Sequence, residues 1–389
     1  GHVGAAARGL VSFGNQGGGV KDPTDILILK AHSLGVGDVL RASAAWRVLK
    51  NQWPQARLHL LFLSKHPGYV TESLIREHPL LTSAHFLTVR RGDPSQPDAP
   101  RVPWWTVVRE VREVCRELKP DLIIDTESAG LRTSLLTWLG ARACGARTVG
   151  VGQFPLRGVF YDHVSPSTQA YMQRWHLTEP MDYTHRDFVA LAALGLSRQG
   201  TPIELSVTTA GRAFQSQLKL TMANWRHATG QTANGPVIGL NIGCGTPDAA
   251  VRRPSIEALV EAFGDLAQHW PHTLVLSGAP FEKDNNQRFM HAYASRFGPA
   301  DHMIDQAGAG SLSELTGLID LCDVFVTSDS GPYHMAVGLR VPTLVWFNRE
   351  EPAAVHDHPW CRGLIKPTPQ AFTQALLSLP KRETSGPGR

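Results

Sequence analysis

Absences narrow the reading of this 389-residue chain first. No apolar run approaches the roughly 18 residues needed to cross a bilayer as a helix. No block of lysine and arginine stands out either. The 38 basic and 34 acidic residues leave a formal charge of +4, and the basic ones are scattered. That argues against a dedicated nucleic-acid binder and leaves an anionic small molecule or a membrane surface as partner. Cysteine is scarce: Cys115, Cys144, Cys244, Cys322 and Cys361 lie far apart and form no C-x-x-C pair. A reduced, cytosolic chain is the simplest expectation. The opening GHVGAAARGLVSFGNQGGGV has no continuous apolar h-region, so no secretory signal is read and a flexible tail is expected.

What is present is a hydrophobic fraction of 42% and a charged fraction of 19%, as in soluble globular proteins. The length suggests two domains or three. Short apolar strands alternate with helical patterns. In the first half, strands are expected at 25–30, 57–63, 84–89, 121–125 and 147–151, with helices near 38–51, 69–78, 104–118 and 130–140. WWTVVREVREVCRELK puts Val107, Val111, Val114 and Leu118 on one helical face, with charges opposite. The second half repeats the plan, with strands at 237–241, 273–277, 323–327 and 343–347 and helices near 255–269, 284–297, 311–321 and 332–339. Such alternation implies parallel sheets covered on both faces, with ligands held at the carboxyl ends of the strands. The expected division is a tail at 1–22, domains at 23–196 and 197–380, and a second tail at 381–389. The stretches RRGDPSQPDAPRVP and 152–183 read as long irregular loops.

The turns between strands and helices carry the chemistry. A dinucleotide site needs G-x-G-x-x-G, but GVGDVL has Leu40 in the third glycine's place, and LHLLFLSK ends without the acidic residue that would bind a ribose. A Walker A loop is absent, and so is a D-x-D pair to hold a metal. LNIGCGTPDAAVRRP runs from a strand into a glycine loop (Gly243, Gly245, Thr246) and on to Arg252 and Arg253. Guanidinium groups beside exposed backbone N–H groups suit a diphosphate, although a solvated arginine pair would look the same. VFVTSDSGPYHMAVGL ends a buried strand at Thr327. Asp329 and Ser330 are placed to cap, Gly331 permits close approach and Pro332 opens a helix. Read alone, Asp38 in LGVGDVL is a helix N-cap or a catalyst.

These last stretches resemble the heptosyltransferase family. SLSELTGLIDLCDVFVTSDSGPYHMAVGLRVPTLVWF is similar to its signature, ILILKAHSLGVGDVLRASAAWRVLK to its N-terminal strand–GD–helix segment with two extra residues before the GD pair, and HRDFVALAALG to the segment leading into its second domain. The resemblance implies a GT-B fold of two Rossmann-like, doubly wound α/β domains facing a central cleft. It also implies metal-independent, inverting transfer from a nucleotide sugar to a glycan or glycolipid acceptor of the lipopolysaccharide core. No cofactor is expected. The family's base falls on Asp38, and its D-[ST]-G-x-x-H block falls on Asp329, Ser330, Gly331 and His334, around the donor. Where the family often has K-x-W-P, this chain has Val251-Arg252-Arg253-Pro254. Gly37, Trp104 and Trp105 are candidates on the acceptor side, and a cytoplasmic enzyme in peripheral contact with the inner membrane is expected. A GT-B transferase of another sugar, a nucleotide-sugar epimerase and a silent binding module are the competing readings. His356 and His358 could bind a metal, but they read more simply as part of a Pro-flanked surface loop.

Overall fold

The computed structural model describes residues 21–31, 35–64, 68–89, 100–178, 182–231, 235–243, 247–349, 352 and 355–382. Its first strand, β1 (Asp25–Lys30), has the sequence DILILK and is buried at every position. A strand with neighbours on both edges and helices on both faces has no solvent side, so its apolar run is continuous rather than alternating. The chain continues through α1 (Val36–Gln52), β2 (Arg57–Ser64), α2 (Glu72–Ile75), β3 (Ser83–Thr88), α3 (Trp104–Leu118), β4 (Leu122–Asp125), α4 (Arg132–Cys144), β5 (Arg147–Val151), β6 (His163–Ser165) and α5 (Thr168–Arg174). Two 3-10 helices, Tyr183–Phe188 and Ala190–Leu194, close this half against α1, β5 and β6.

The second half comprises α6 (Thr209–Thr229), β7 (Val237–Asn241), α7 (Ile256–His269), β8 (Thr273–Leu276), α8 (Lys283–Phe297), β9 (Met303–Asp305), α9 (Leu312–Leu321), β10 (Val324–Ser328), α10 (Gly331–Gly338), β11 (Thr343–Phe347), β12 (Cys361–Ile365) and α11 (Pro369–Ser378). The strands form two six-stranded sheets, ordered β3-β2-β1-β4-β5-β6 and β12-β11-β10-β7-β8-β9. Every pairing within them is parallel. Each order runs outward in both directions from its first strand, so each sheet has its switch point where a ligand crevice opens, between β1 and β4 and between β7 and β10.

Apolar clusters cover both faces of each sheet. One of them joins the halves: Leu40 of α1 and Leu74 of α2 pack with Leu205, Tyr333, Met335 and Val337. Among the described residues no helix is long and apolar enough to cross a membrane.

Candidate active site

The helices that follow the two switch-point strands β1 and β10 meet. The first turn of α1 lies against the first turn of α10, and two glycines permit the approach. A Cβ on Gly37 would come within 2.5 Å of Cδ2 and Nε2 of His334, and one on Gly331 within 3.2 Å of Val36. Asp38 sits in the first turn of α1, but the N-cap is Gly35 and no side chain caps the helix. The capping reading of Asp38 is thereby corrected.

The Asp38 carboxylate has other partners. Its Oδ1 accepts from Arg41 Nη1 at 3.0 Å and from the phenol of Tyr183. Arg41, one helical turn on, also donates from Nε to Asp187 Oδ2 at 2.5 Å, and Asp187 Oδ1 accepts from Lys30 Nζ at 3.2 Å. Asp187 is buried; burial raises its carboxyl, but Lys30 and then Arg41 outweigh that and hold it below the usual range. Burial works against the charge of Arg41, yet Asp187 and Asp38 keep it firmly protonated. The Tyr183 phenol is pushed up by burial, and Asp38 adds to the shift against the pull of Arg41, so it remains a donor. Of these groups sequence reasoning found only Asp38. Asp187 lay in the quoted HRDF segment, and Arg41 stands three residues after Asp38 on the same helix, the spacing of a surface ion pair.

Across the interface, the ring of His334 stacks on Tyr183 with centroids 5.2 Å apart. Its Nδ1 lies 2.9 Å from His356 Nε2. Burial, reinforced by Arg41 and Arg252 against the pull of Asp38, lowers its pKa to about 4, so the imidazole is neutral at pH 7.

The donor-side candidates gather at the ends of β7 and β10. Gly243 has φ +73°, and a Cβ there would collide with Oγ of Ser328 and with Oδ1 of Asn241. That Oδ1 is buried without a hydrogen-bond partner at the same turn. Ser330 is the N-cap residue of α10, but its hydroxyl donates to the Ser328 carbonyl instead of capping. Burial raises the Asp329 carboxyl, while Arg252 and Arg349 oppose the shift.

The two arginines part company. Arg252 reaches Asp329 and His334 electrostatically. Arg253 reaches Glu282 and lines a separate pocket of about 290 Å³ with Ser255, Asn285, Arg288 and Asn348. Gly245 and Thr246 lie outside the described residues. Trp104 opens α3 half-buried, with the Arg132 guanidinium 6.0 Å over its ring, while Trp105 is 74% exposed. His356 and His358 are both buried, not part of an exposed loop: His358 stacks on Trp360, and His356 packs among Tyr183, Tyr333 and His334.

Two doubly wound sheets whose helices α1 and α10 meet between the domains define a GT-B architecture. Solved structures with this fold include a glycosyl transferase family 9 protein from Veillonella parvula, at 16% identity, covering 92% of this chain and 90% of that one with a TM-score of 0.62. The ADP-heptose lps heptosyltransferase II of E. coli is 17% identical over 91% of this chain and 98% of its own, TM-score 0.60. E. coli heptosyltransferase WaaC with ADP is 17% identical over 91% and 97%, TM-score 0.55. No curated protein gives a significant match. Residues 265–364 match glycosyltransferase family 9 (heptosyltransferase). That segment is heptosyltransferase-like.

Proposed function

We propose that the chain moves a heptose from ADP-heptose to a hydroxyl of a lipopolysaccharide-core or related glycan acceptor, with inversion at the anomeric carbon. The acceptor oxygen attacks that carbon, the bond to the diphosphate breaks with its electron pair leaving on phosphate oxygen, and the hydroxyl proton passes to the Asp38 carboxylate. Gly243, Arg252 and the start of α10 at Ser330 and Gly331 would take the developing negative charge through N–H and guanidinium groups, without a metal. The observation that carries this reading is the abutment of Asp38's helical turn on the α10 N-terminus, through the contact between Gly37 and His334. The family match over 265–364 favours heptose as the sugar. The exposed Leu156 and Val159 in the first domain, with Trp105, suit peripheral contact with the membrane that carries a glycolipid acceptor.

The deciding experiment is Asp38→Asn. The amide can still accept from Tyr183 but cannot take a proton, so turnover should fall by about 10²–10⁴-fold. Donor affinity should stay near wild type. It is read by thermal shift, where a ligand at 100 times its Kd adds about 2.7 kcal/mol. Turnover above roughly a tenth of wild type, well short of that loss, removes Asp38 from the role of base.

A further inference from the structure

At the other ring nitrogen of His334 lies a second cluster of side chains. Asp182, His356 and His358 are 5%, 4% and 7% exposed, and their ligand-type atoms lie within 4.8 Å of one another. His356 Nδ1 and His358 Nε2 are buried without a hydrogen-bond partner. Two buried ring nitrogens without partners, beside a carboxylate, call for either an ordered water or a cation.

We infer that Asp182, His356 and His358 bind one divalent transition-metal ion of the zinc type, at the junction between the domains. Two imidazoles and one carboxylate suit zinc, with water as a fourth ligand. With metal–ligand bonds of about 2.0–2.1 Å, tetrahedral ligands stand about 3.3 Å apart, so the cluster closes by at most about 1.5 Å on binding. The carboxylate is already oriented. Asp182 Oδ1 accepts from the backbone N–H of Thr184 at 2.9 Å and from its hydroxyl at 2.5 Å, and Oδ2 accepts from the backbone N–H of Asp357 at 3.0 Å. Arg198 Nη2 also lies 3.0 Å from Oδ2. That guanidinium is the competing cation, and Asp357 compensates its charge through both carboxylate oxygens, at 2.7 and 3.2 Å.

The inference does not rest on the sugar-transfer reading, and the ion takes no part in breaking the sugar–phosphate bond. It has a consequence for the cleft nonetheless. A metal on His356 Nδ1 leaves the proton on Nε2, which then donates to Nδ1 of His334 at 2.9 Å. His334 in turn carries its own proton on Nε2, the nitrogen that faces Gly37. The ion would thus fix a tautomer in the proposed active site from outside it.

The test uses the full chain, stripped with a chelator and titrated with zinc and, separately, with cobalt. The expected result is one zinc retained per chain after desalting, a raised thermal midpoint and the visible absorption of four-coordinate cobalt. His358→Gln and Asp182→Asn should each lose the retained zinc. A wild-type chain that retains no zinc overturns the inference and leaves an ordered water as the occupant. Zinc retained equally by both folded variants overturns it as well, since the ion is then bound elsewhere. Should either variant fail to fold, the wild-type titration and the cobalt spectrum still decide.

Discussion

Gly37→Ala sets two physical effects of opposite sign against each other. Gly37 lies in the first turn of α1, where replacing glycine by alanine favours the helix by up to about 1 kcal/mol. The added methyl, however, would lie 2.5 Å from Cδ2 and Nε2 of His334. That ring cannot swing aside cheaply, because it is buried, stacked on Tyr183 and bonded to His356 at 2.9 Å. Overpacking of this kind costs about 1–3 kcal/mol, so the contact should win and urea unfolding should show net destabilisation. The structure relaxes by parting α1 from α10, which moves Asp38 away from the donor side. A displacement near 1 Å at the reacting centre costs about 100-fold in rate, and kcat should fall accordingly. A double-mutant cycle isolates the cause: once His334→Ala has removed the ring, adding Gly37→Ala should cost nothing further. If Gly37→Ala stabilises the protein and keeps full activity, α1 and α10 do not abut in the working enzyme, and the geometry proposed for transfer is wrong.

Arg252→Ala should lower kcat/KM for the donor by about ten- to a hundredfold, the worth of a charge-assisted hydrogen bond of about 1.5–3 kcal/mol. Arg252→Lys should recover part of it. Arg253→Ala should be nearly silent, because Arg253 reaches Glu282 and not α10; two silent alanine variants would make both arginines a solvated flank. Transfer should need neither magnesium nor manganese, and a rate that collapses with chelator and returns with either ion refutes the metal-free mechanism. In the second domain, burial and then His272 lower His302 to about 4, so the folded protein resists a proton that the unfolded chain binds near 6.5. Stability from this group is therefore complete above about pH 6.5 and is lost as pH falls toward 4, by about 2–3 kcal/mol after allowance for partial exposure. Urea midpoints at pH 7.5 and pH 5 should converge in His302→Gln, and an unchanged pH slope would exclude His302 as the source.

Much of the fold could be read because buried parallel strands advertise themselves. DILILK, VIGLN and TLVWF stand in the structure at the bounds their apolar runs suggest. The valine stripe of α3 marks the helix from end to end. What escaped had weak local signals. The edge strands β6, β9 and β12 are three to five residues long and are defined by pairing with one neighbour. Helix α6 runs for 21 residues but buries only Gly211, Leu218 and Met222, too sparse a stripe to declare a helix. The candidate site divides the same way. Gly331 stood in a turn whose glycine marks a close approach, whereas Asp38 and His334 were singled out by the resemblance to the heptosyltransferase family's motifs. Tyr183 and Asp187 lie on a 3-10 segment with no period to read, and their partners are about 150 residues away in sequence.

That 3-10 segment adds a tie between the two domains at the site. The backbone N–H of Tyr183 donates to the Val355 carbonyl at 2.9 Å, which ties the segment to the second half. Four residues on, Asp187 holds Lys30 at the end of β1 and Arg41 on α1, which ties it to the first. Between these anchors the phenol of Tyr183 donates to Asp38 while its ring stacks on His334. Removing one partner of a buried charge pair destabilises by about 3–5 kcal/mol, so the anchor at Asp187 cannot yield cheaply. The bond from Tyr183 to Asp38 is the weaker tie, a single hydrogen bond at a half-buried carboxylate. The orientation of Asp38 by Arg41 and Tyr183 together thus depends on both domains holding this segment.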